Sequence, residues 1–300
     1  MRTLPYLWLD VFADRPFAGN ALCVVLDGTS LTDADMQAIA KETNLSETTF
    51  VLPPTVPGAT YRTRIFTPGG ELAFAGHPTL GTAAAMALSG RVNGSAFVQE
   101  TKSGLTPLEL IYDGDRLDRV VMVAPRPELA ATPDPAAVAR TLGLTAQDVT
   151  PNGLRPEVIF AGVKHLVIPV ASPEVLAGIT SDTGALTALS RELGVIGAYP
   201  FALLPRSTDG QTDAYARARL FAPLFGISED AATGSAAAPL GAYLHWHGLM
   251  PEGSNAFWYE QGIEMGRPSR LWVEVTEPGG TLRVRVGGEV CLLGKGEFHI

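Results

Sequence analysis

The chain says nearly the same thing twice. Arg62-Thr63-Arg64-Ile65-Phe66-Thr67-Pro68 returns as Arg217-Ala218-Arg219-Leu220-Phe221-Ala222-Pro223, an offset of 217 − 62 = 155. Just downstream, Glu71-Leu72-Ala73-Phe74-Ala75-Gly76-His77 returns as Glu229-Asp230-Ala231-Ala232-Thr233-Gly234-Ser235, an offset of 229 − 71 = 158. Each copy reads as strand, loop, glycine, polar residue and then a helix of small residues. The period is far longer than the ~20–50 residues of a solenoid repeat, so the unit copied is a whole domain. Two similar halves usually bury a site between them, which makes the mismatches informative. The copies differ at His77 against Ser235 and at Leu72 against Asp230.

Composition narrows the function classes. Three hundred residues suit about two domains, and 46% hydrophobic content supports a sizeable core. A net charge of −9 argues against nucleic acid, whose phosphates demand a basic surface. It leaves room for a small anionic substrate in a locally positive pocket. No apolar run approaches the ~20 residues of a membrane span, and the N-terminal stretch lacks the pattern of a signal peptide. A cytoplasmic protein without membrane partners is expected. Cys23 and Cys291 both sit in apolar runs and read as two buried strand thiols, not a disulfide or metal framework.

Many short strands with few long helices indicate an α+β chain. Strands are expected at Tyr6–Phe12, Ala21–Leu26, Glu47–Leu52, Tyr61–Phe66 and Tyr215–Phe221. A helix is expected after Thr32, with Asp33 and Asp35 in its first turn. The two repeated helices are expected at His77–Leu88 and Ser235–His247, and the tail from Arg270 to Ile300 reads as strands separated by Gly-Gly turns. Pro125 to Pro135 turns to Pro, Ala and Thr, which marks the junction of the halves.

Both repeated helices open on glycine and continue in small residues, as a helix buried at the centre of a domain would. A buried helix start has free N–H groups and a positive dipole end, which bind anions. Capping by Ser235 or Thr233 is the competing reading. His77 at such a start should be neutral near pH 7, able to accept, donate or orient. The other reading is a packed or capping histidine. His165, His245, His247 and His299 are weaker candidates, and no cluster has metal-ligand spacing. Glu47 stands where helix turns to strand among uncharged residues. Desolvation there would raise its pKa and suit general acid/base work, whereas a solvated turn carboxylate is the bland alternative. Of Glu229 and Asp230, one faces the helix start and the other the site, and the pattern does not say which.

These residues carry a resemblance. Asp10-Val11-Phe12 with Phe17-Ala18-Gly19-Asn20, then Asn44-Leu45-Ser46-Glu47-Thr48, Phe66-Thr67-Pro68, Phe74-Ala75-Gly76-His77-Pro78-Thr79-Leu80-Gly81 and Glu229-Asp230-Ala231-Ala232-Thr233-Gly234-Ser235 resemble, in order, the signature blocks of the PhzF-like phenazine-biosynthesis family. The resemblance implies the diaminopimelate-epimerase-like fold: two pseudo-symmetric domains, each a curved sheet around a central helix, with the active site in the cleft between them. It divides the chain into residues 1–125 and 126–289, with the tail from about 290 to 300 returning to the first domain. It also implies a cofactor-independent, metal-free isomerase that moves a proton within a small cyclic or unsaturated amino or hydroxy acid. Glu47 falls on the catalytic acid/base. Ser46, Gly76, His77, Asp230, Gly234 and Ser235 fall on substrate-binding positions. A homodimer is the expected assembly.

The wider superfamily includes epimerases with two opposed cysteines near these helix starts. Here those places hold His77 and Ser235, so a two-thiol racemase is disfavoured. Two other readings are kept. One is a racemase or epimerase of a small acid using Glu47 with a second base such as Asp230. The other is a binding protein on the same scaffold, since fold does not fix function. Substrate specificity is expected in less patterned loops such as Arg206 to Thr212.

Overall fold

A computed structural model describes residues 2–205 and 213–300. The expected specificity loop, Arg206 to Thr212, lies outside the described residues. The chain divides into two compact units, one of residues Met1–Val123 with Gly287–Ile300 and one of residues Ala124–Val286. Strands dominate both, and the class is α+β.

In the first unit the strands are β1 (Thr3–Val11), β2 (Asn20–Val25), β3 (Glu47–Leu52), β4 (Tyr61–Thr67), β5 (Gly70–Leu72), β6 (Ala96–Thr101), β7 (Gly104–Asp113) and β8 (Arg116–Val123). Helix α1 (Asp33–Thr43) joins β2 to β3, and α2 (Gly76–Leu88) lies between β5 and β6. β2 with β3 and β4 with β6 are parallel pairs, and each needs such a crossover. The neighbours β1/β2, β3/β4, β4/β5, β6/β7 and β7/β8 run antiparallel.

The second unit repeats the plan. Its strands are β9 (Glu128–Ala131), β10 (Glu157–Ala161), β11 (Val163–Pro169), β12 (Ala198–Leu203), β13 (Ala214–Ala218), β14 (Leu220–Ala222), β15 (Ile227–Asp230), β16 (Ala256–Gln261) and β17 (Ser269–Thr276). Helices α3 (Pro135–Thr141), α4 (Pro173–Ala177), α5 (Thr183–Leu193) and α6 (Gly234–Trp246) complete it. β11 with β12 and β13 with β16 are parallel, matching the two parallel pairs of the first unit. β18 (Arg283–Gly288) carries the chain back to the first unit, where β19 (Val290–His299) pairs antiparallel with β1.

The register shows that the sequence repeat is a structural one. Ile65 pairs with Leu72 in the first unit, and Leu220 pairs with Asp230 in the second. A bidentate ion pair is copied along with the strands. Arg64 binds Glu71 through Nε and Nη2, each at 2.8 Å, and Arg219 binds Glu229 at 2.8 and 2.9 Å. Each guanidinium also lies over a ring two residues on, Phe66 at 5.0 Å and Phe221 at 4.7 Å.

Helix α1 begins as its composition predicts. Thr32 and Asp35 form a reciprocal capping box, and Asn44 closes the helix in the left-handed region at φ 49°. Met36, Ile39 and Ala40 pack on Leu4, Val25, Phe50 and Phe66. The second unit has its own cluster, in which Val138, Leu142, Leu176 and Leu186 meet Leu166, Ile168 and Phe221. The central helices are of another kind. Every residue of α2 from Gly76 to Met86 is buried, and in α6 so are Gly234 and Ala236 to Leu244. A helix apolar on all sides must be surrounded by its own domain. Gly81 shows how closely the sheet approaches, since a Cβ there would lie 2.5 Å from Leu22 Cδ2.

Three details differ from the sequence reading. Both central helices begin one residue earlier, at Gly76 and Gly234. Cys23 is buried, but Cys291 is only partly so, because β19 alternates between covered and open positions. Of the two Gly-Gly pairs in the tail, Gly279-Gly280 makes a turn with φ of 61° and 77°. Gly287-Gly288 instead ends strand β18, where a Cβ on Gly288 would sit 2.3 Å from the Phe12 ring. Among the described residues no helix is long and apolar enough to cross a membrane.

Candidate active site

In the first unit the site residues gather at the start of α2. Glu47 and Thr49 share one face of β3, since side chains alternate along a strand. Thr49 faces the middle of α2, accepting a 2.9 Å hydrogen bond from the Thr82 hydroxyl. Glu47 lies two residues nearer the start of β3 and meets the beginning of the helix, with its Oε2 3.5 Å from His77 Nε2. Both are buried, Glu47 at 8% exposure and His77 at 4%. The solvated-turn reading of Glu47 is therefore set aside: α1 ends at Asn44, and the chain dips directly into the sheet.

His77 is held on its other nitrogen by Asn20, whose Nδ2 lies 3.3 Å from His77 Nδ1. The Asn20 carbonyl Oδ1 accepts from the Ser46 hydroxyl at 3.2 Å. That bond settles the amide orientation, so Nδ2–H donates to Nδ1 and the imidazole carries its proton on Nε2, whose 3.5 Å approach to Glu47 Oε2 is a close contact and not a hydrogen bond. Burial pushes the His77 imidazole down to about 3. The 3.5 Å approach is accordingly a neutral imidazole beside a carboxylate, not an ion pair.

The loop that delivers Asn20 is under backbone strain. Phe12 and Phe17 occupy the left-handed region at φ 61° and 65°, as does Gly19 at 63°. Buried Asp10 accepts from the Phe17 N–H at 2.7 Å and pins the turn. A Cβ on Gly19 would lie 2.3 Å from the Val11 carbonyl oxygen, so only glycine brings the chain round to β2.

In the second unit, Ser235 is the second residue of α6, and its Oγ lies 3.0 Å from His165 Nε2. Asp230 accepts from the Thr233 hydroxyl at 2.6 Å. Gln261 donates to the Asp230 carbonyl at 2.8 Å and to Thr233 Oγ1 at 2.9 Å, and accepts from the Thr233 N–H and the Tyr199 hydroxyl. Glu229 is committed to Arg219, which resolves the choice between the two acids: Glu229 is structural, and Asp230 sits by the helix start. Neither Thr233 nor Ala75 caps its helix through a side chain. Ser235 is engaged with His165, so the capping reading of these positions does not hold.

The registers also show where the copies part. Thr48 pairs with Phe66, and Ala198 pairs with Phe221, the counterpart of Phe66. Gly197 therefore stands at the place of Glu47. A Cβ on Gly197 would lie 2.5 Å from the Phe221 carbonyl oxygen, so that position has no room for any side chain. From sequence, Asn20 stands out only as the end of a resemblance block, and His165 only as a weaker histidine candidate. Each is a polar residue beginning or interrupting an otherwise apolar strand, which is the one signal that marks them. Among the described residues no group of His, Cys, Asp and Glu is arranged to hold a metal ion.

A family profile described as phenazine biosynthesis-like protein, PhzC-PhzF, matches residues 9–296. The chain belongs to the PhzF family. It is 39% identical to an uncharacterised isomerase of Mesorhizobium japonicum over the whole of both chains. It is 34% identical to the trans-2,3-dihydro-3-hydroxyanthranilate isomerase of Pseudomonas aeruginosa, covering 98% of this chain and 99% of that one. The PhzF-family phenazine biosynthesis protein of Bacillus anthracis superposes over the whole of both chains with a TM-score of 0.87 at 26% identity. A hydroxyproline epimerase of Agrobacterium vitis shares the fold alone, with a TM-score of 0.64 at 16% identity, covering 99% of this chain and 92% of that one. With PhzF relatives matched along its whole length, the chain is an enzyme of the isomerase class.

Proposed function

We propose that the chain is a cofactor-independent isomerase that moves a proton within a small cyclic or unsaturated amino or hydroxy acid, with Glu47 as the single acid/base. The observation that carries this reading is the buried Glu47 carboxylate 3.5 Å from Nε2 of a buried, neutral imidazole. Glu47 takes a proton from an activated carbon, and the electron pair left behind spreads into the adjoining unsaturated system. The same carboxyl group, now protonated, returns the proton at a conjugated carbon. The double bond shifts and no atom is lost. His77 Nε2–H steadies the carboxylate before the first transfer and after the second, or donates to a ring heteroatom. Ser46, Gly76, Asp230, Gly234 and Ser235 are proposed as substrate-holding groups, with the helix-start N–H groups suited to a carboxylate. The relative from Pseudomonas aeruginosa makes trans-2,3-dihydro-3-hydroxyanthranilate the first compound to assay.

Positioned general bases contribute about 10²–10⁴-fold. Glu47→Gln is expected to lose turnover by that factor while keeping its far-ultraviolet circular dichroism and unfolding midpoint. Retention of near-full turnover in this variant would end the assignment. Reaction in ²H₂O separates isomerisation from racemisation: a moved double bond, with deuterium at the new position only to the extent that the Glu47 proton exchanges with solvent, supports this reading, and label at an inverted, otherwise unchanged carbon favours a racemase.

A further inference from the structure

His165 lies wholly buried on β11 within the second unit. Nε2 meets Ser235 Oγ at 3.0 Å, and the ring tilts against Tyr199 with centroids 6.4 Å apart. Nδ1 is buried too, and no protein group lies within hydrogen-bonding reach of it. Burial pushes this imidazole down to about 3, so it is neutral and one nitrogen bears hydrogen while the other bears a lone pair. A buried N–H with no acceptor is rarer and costlier than an unmatched acceptor. The hydrogen therefore belongs on Nε2, and Nε2–H donates to Ser235.

That assignment changes what Ser235 does. If the imidazole accepted from the hydroxyl, Ser235 would be an activated nucleophile. With the imidazole donating, one lone pair of Oγ is occupied and the hydroxyl hydrogen is free to point away. Ser235 is partly exposed, whereas its helix neighbours Gly234 and Ala236 are buried. It also stands at a helix start that no side chain caps. In the first unit the strand position matching His165 is Leu22: Leu22 pairs with Glu47 and Leu166 with Ala198, one step further along in both strands. A histidine at this strand position is thus a feature of the second copy; in the first, His77 is met instead by Asn20.

We propose that His165 is a positioning residue that commits the Ser235 hydroxyl to donating, so that Ser235 joins the backbone N–H groups at the start of α6 in holding an anionic group, a carboxylate, on the substrate. This rests on the assignment of Ser235 as a substrate-holding group.

The test measures calorimetric binding of 3-hydroxyanthranilate, an aromatic and unreactive analogue of the relative's substrate. Proteins compared are the unaltered chain, Ser235→Ala, His165→Leu, His165→Gln and the Ser235→Ala/His165→Leu double variant. Ser235→Ala and His165→Leu are each expected to weaken binding about tenfold, as loss of a hydrogen bond to a charged group does. The double variant should bind no more weakly than Ser235→Ala, because His165 acts through Ser235. His165→Gln, which offers an amide N–H near the place of Nε2, should recover most of the affinity. Additive losses would overturn the proposal, as would full binding by His165→Leu alongside weakened Ser235→Ala. Full binding by Ser235→Ala would remove the substrate-holding assignment itself, and the proposal with it. Imidazole ¹⁵N spectra of the unaltered protein give a reading that needs no variant to fold. Nε2 should be protonated and Nδ1 bare from pH 5 to 8, and a proton on Nδ1 would overturn the proposal.

Discussion

Glu47 and Gly197 occupy the same register position in the two copies, and only the first can carry a side chain. At Gly197 the neighbouring Phe221 carbonyl oxygen would stand 2.5 Å from a Cβ and Ala222 Cβ 3.1 Å away. The asymmetry of the proposed chemistry is thus enforced by backbone packing as well as by residue choice. Gly197→Ala is expected to destabilise the protein by about 1–3 kcal/mol, the usual cost of overpacking a filled site. Urea unfolding midpoints measure this directly, and an unchanged midpoint would show that the β12–β14 contact yields freely.

Asn20 determines which nitrogen of His77 carries the proton, because its own amide is fixed by Ser46. Asn20→Asp replaces the donor at Nδ1 with an acceptor and moves the proton to Nδ1, leaving a lone pair toward Glu47. A fall in kcat of about 10²-fold is expected, the lower end of what a misplaced acid/base element costs. Steady-state kinetics on Asn20→Asp and Asn20→Ser, read alongside the His77 ¹⁵N shifts, check it. A normal rate with the proton moved to Nδ1 would remove His77 from the proton path.

Acid stability follows from the two buried imidazoles. Folded His77 and His165 both lie near 3, below the ordinary histidine value of 6.5. The unfolded chain therefore binds protons that the fold refuses. Above pH 6.5 neither histidine affects the balance. As pH falls from 6.5 toward 3, each removes up to about 1.4 kcal/mol of stability per pH unit. The lowered Glu71 and Glu100 carboxyls act in the same direction at the acid end of that window. Denaturant titrations at stepped pH should show a shallower acid limb for His165→Gln than for the unaltered protein. An unchanged slope would contradict the burial of that ring.

The copied ion pairs are expected to differ in weight. Arg219 is 8% exposed along its side chain, and besides Glu229 it serves the Leu176, Ala177 and Ile179 carbonyls at the end of α4. Removing it strands a half-buried carboxylate and takes a donor from three carbonyl groups, of which Leu176 keeps the Ile179 N–H. Arg219→Met should cost about 3–5 kcal/mol, as breaking a buried pair does, and Arg219→Lys should recover little because an ammonium lacks the fork. Arg64→Met should cost less, since Glu71 keeps Lys102 as a partner. Thermal and urea unfolding of the three variants give the comparison.

Much of this arrangement was legible in the residues. The repeat set out the duplicated strands, because Arg64, Phe66 and Glu71 reappear with their spacing as Arg219, Phe221 and Glu229. Small residues marked α2 and α6 as buried, and Glu47 and His77 stood out by chemistry. The partners were harder to read. Asn20 and His165 reach their targets across 57 and 70 residues of chain, and only strand register brings them there. Gly197 was invisible for a related reason: its meaning is the close passage of Phe221, a distance no local pattern encodes. Gly287-Gly288 misled as a turn signal because a glycine that makes room for a ring and one that makes a turn are spelled alike.

The pairing of β1 with β19 joins residues near opposite ends of the chain, from Thr3 with His299 to Val11 with Val290. On a ribosome, β1 emerges long before β19. Asp10, which pins the strained loop before Asn20, belongs to a strand that stays one neighbour short until β19 is made. The half that carries the proposed base is thus begun before the second half and completed after it, with the second half made in between. A chain without β19 would leave β1 unpaired on that side, and with it the loop that holds Asn20 against His77, so the proposed site is completed only once β19 has been made.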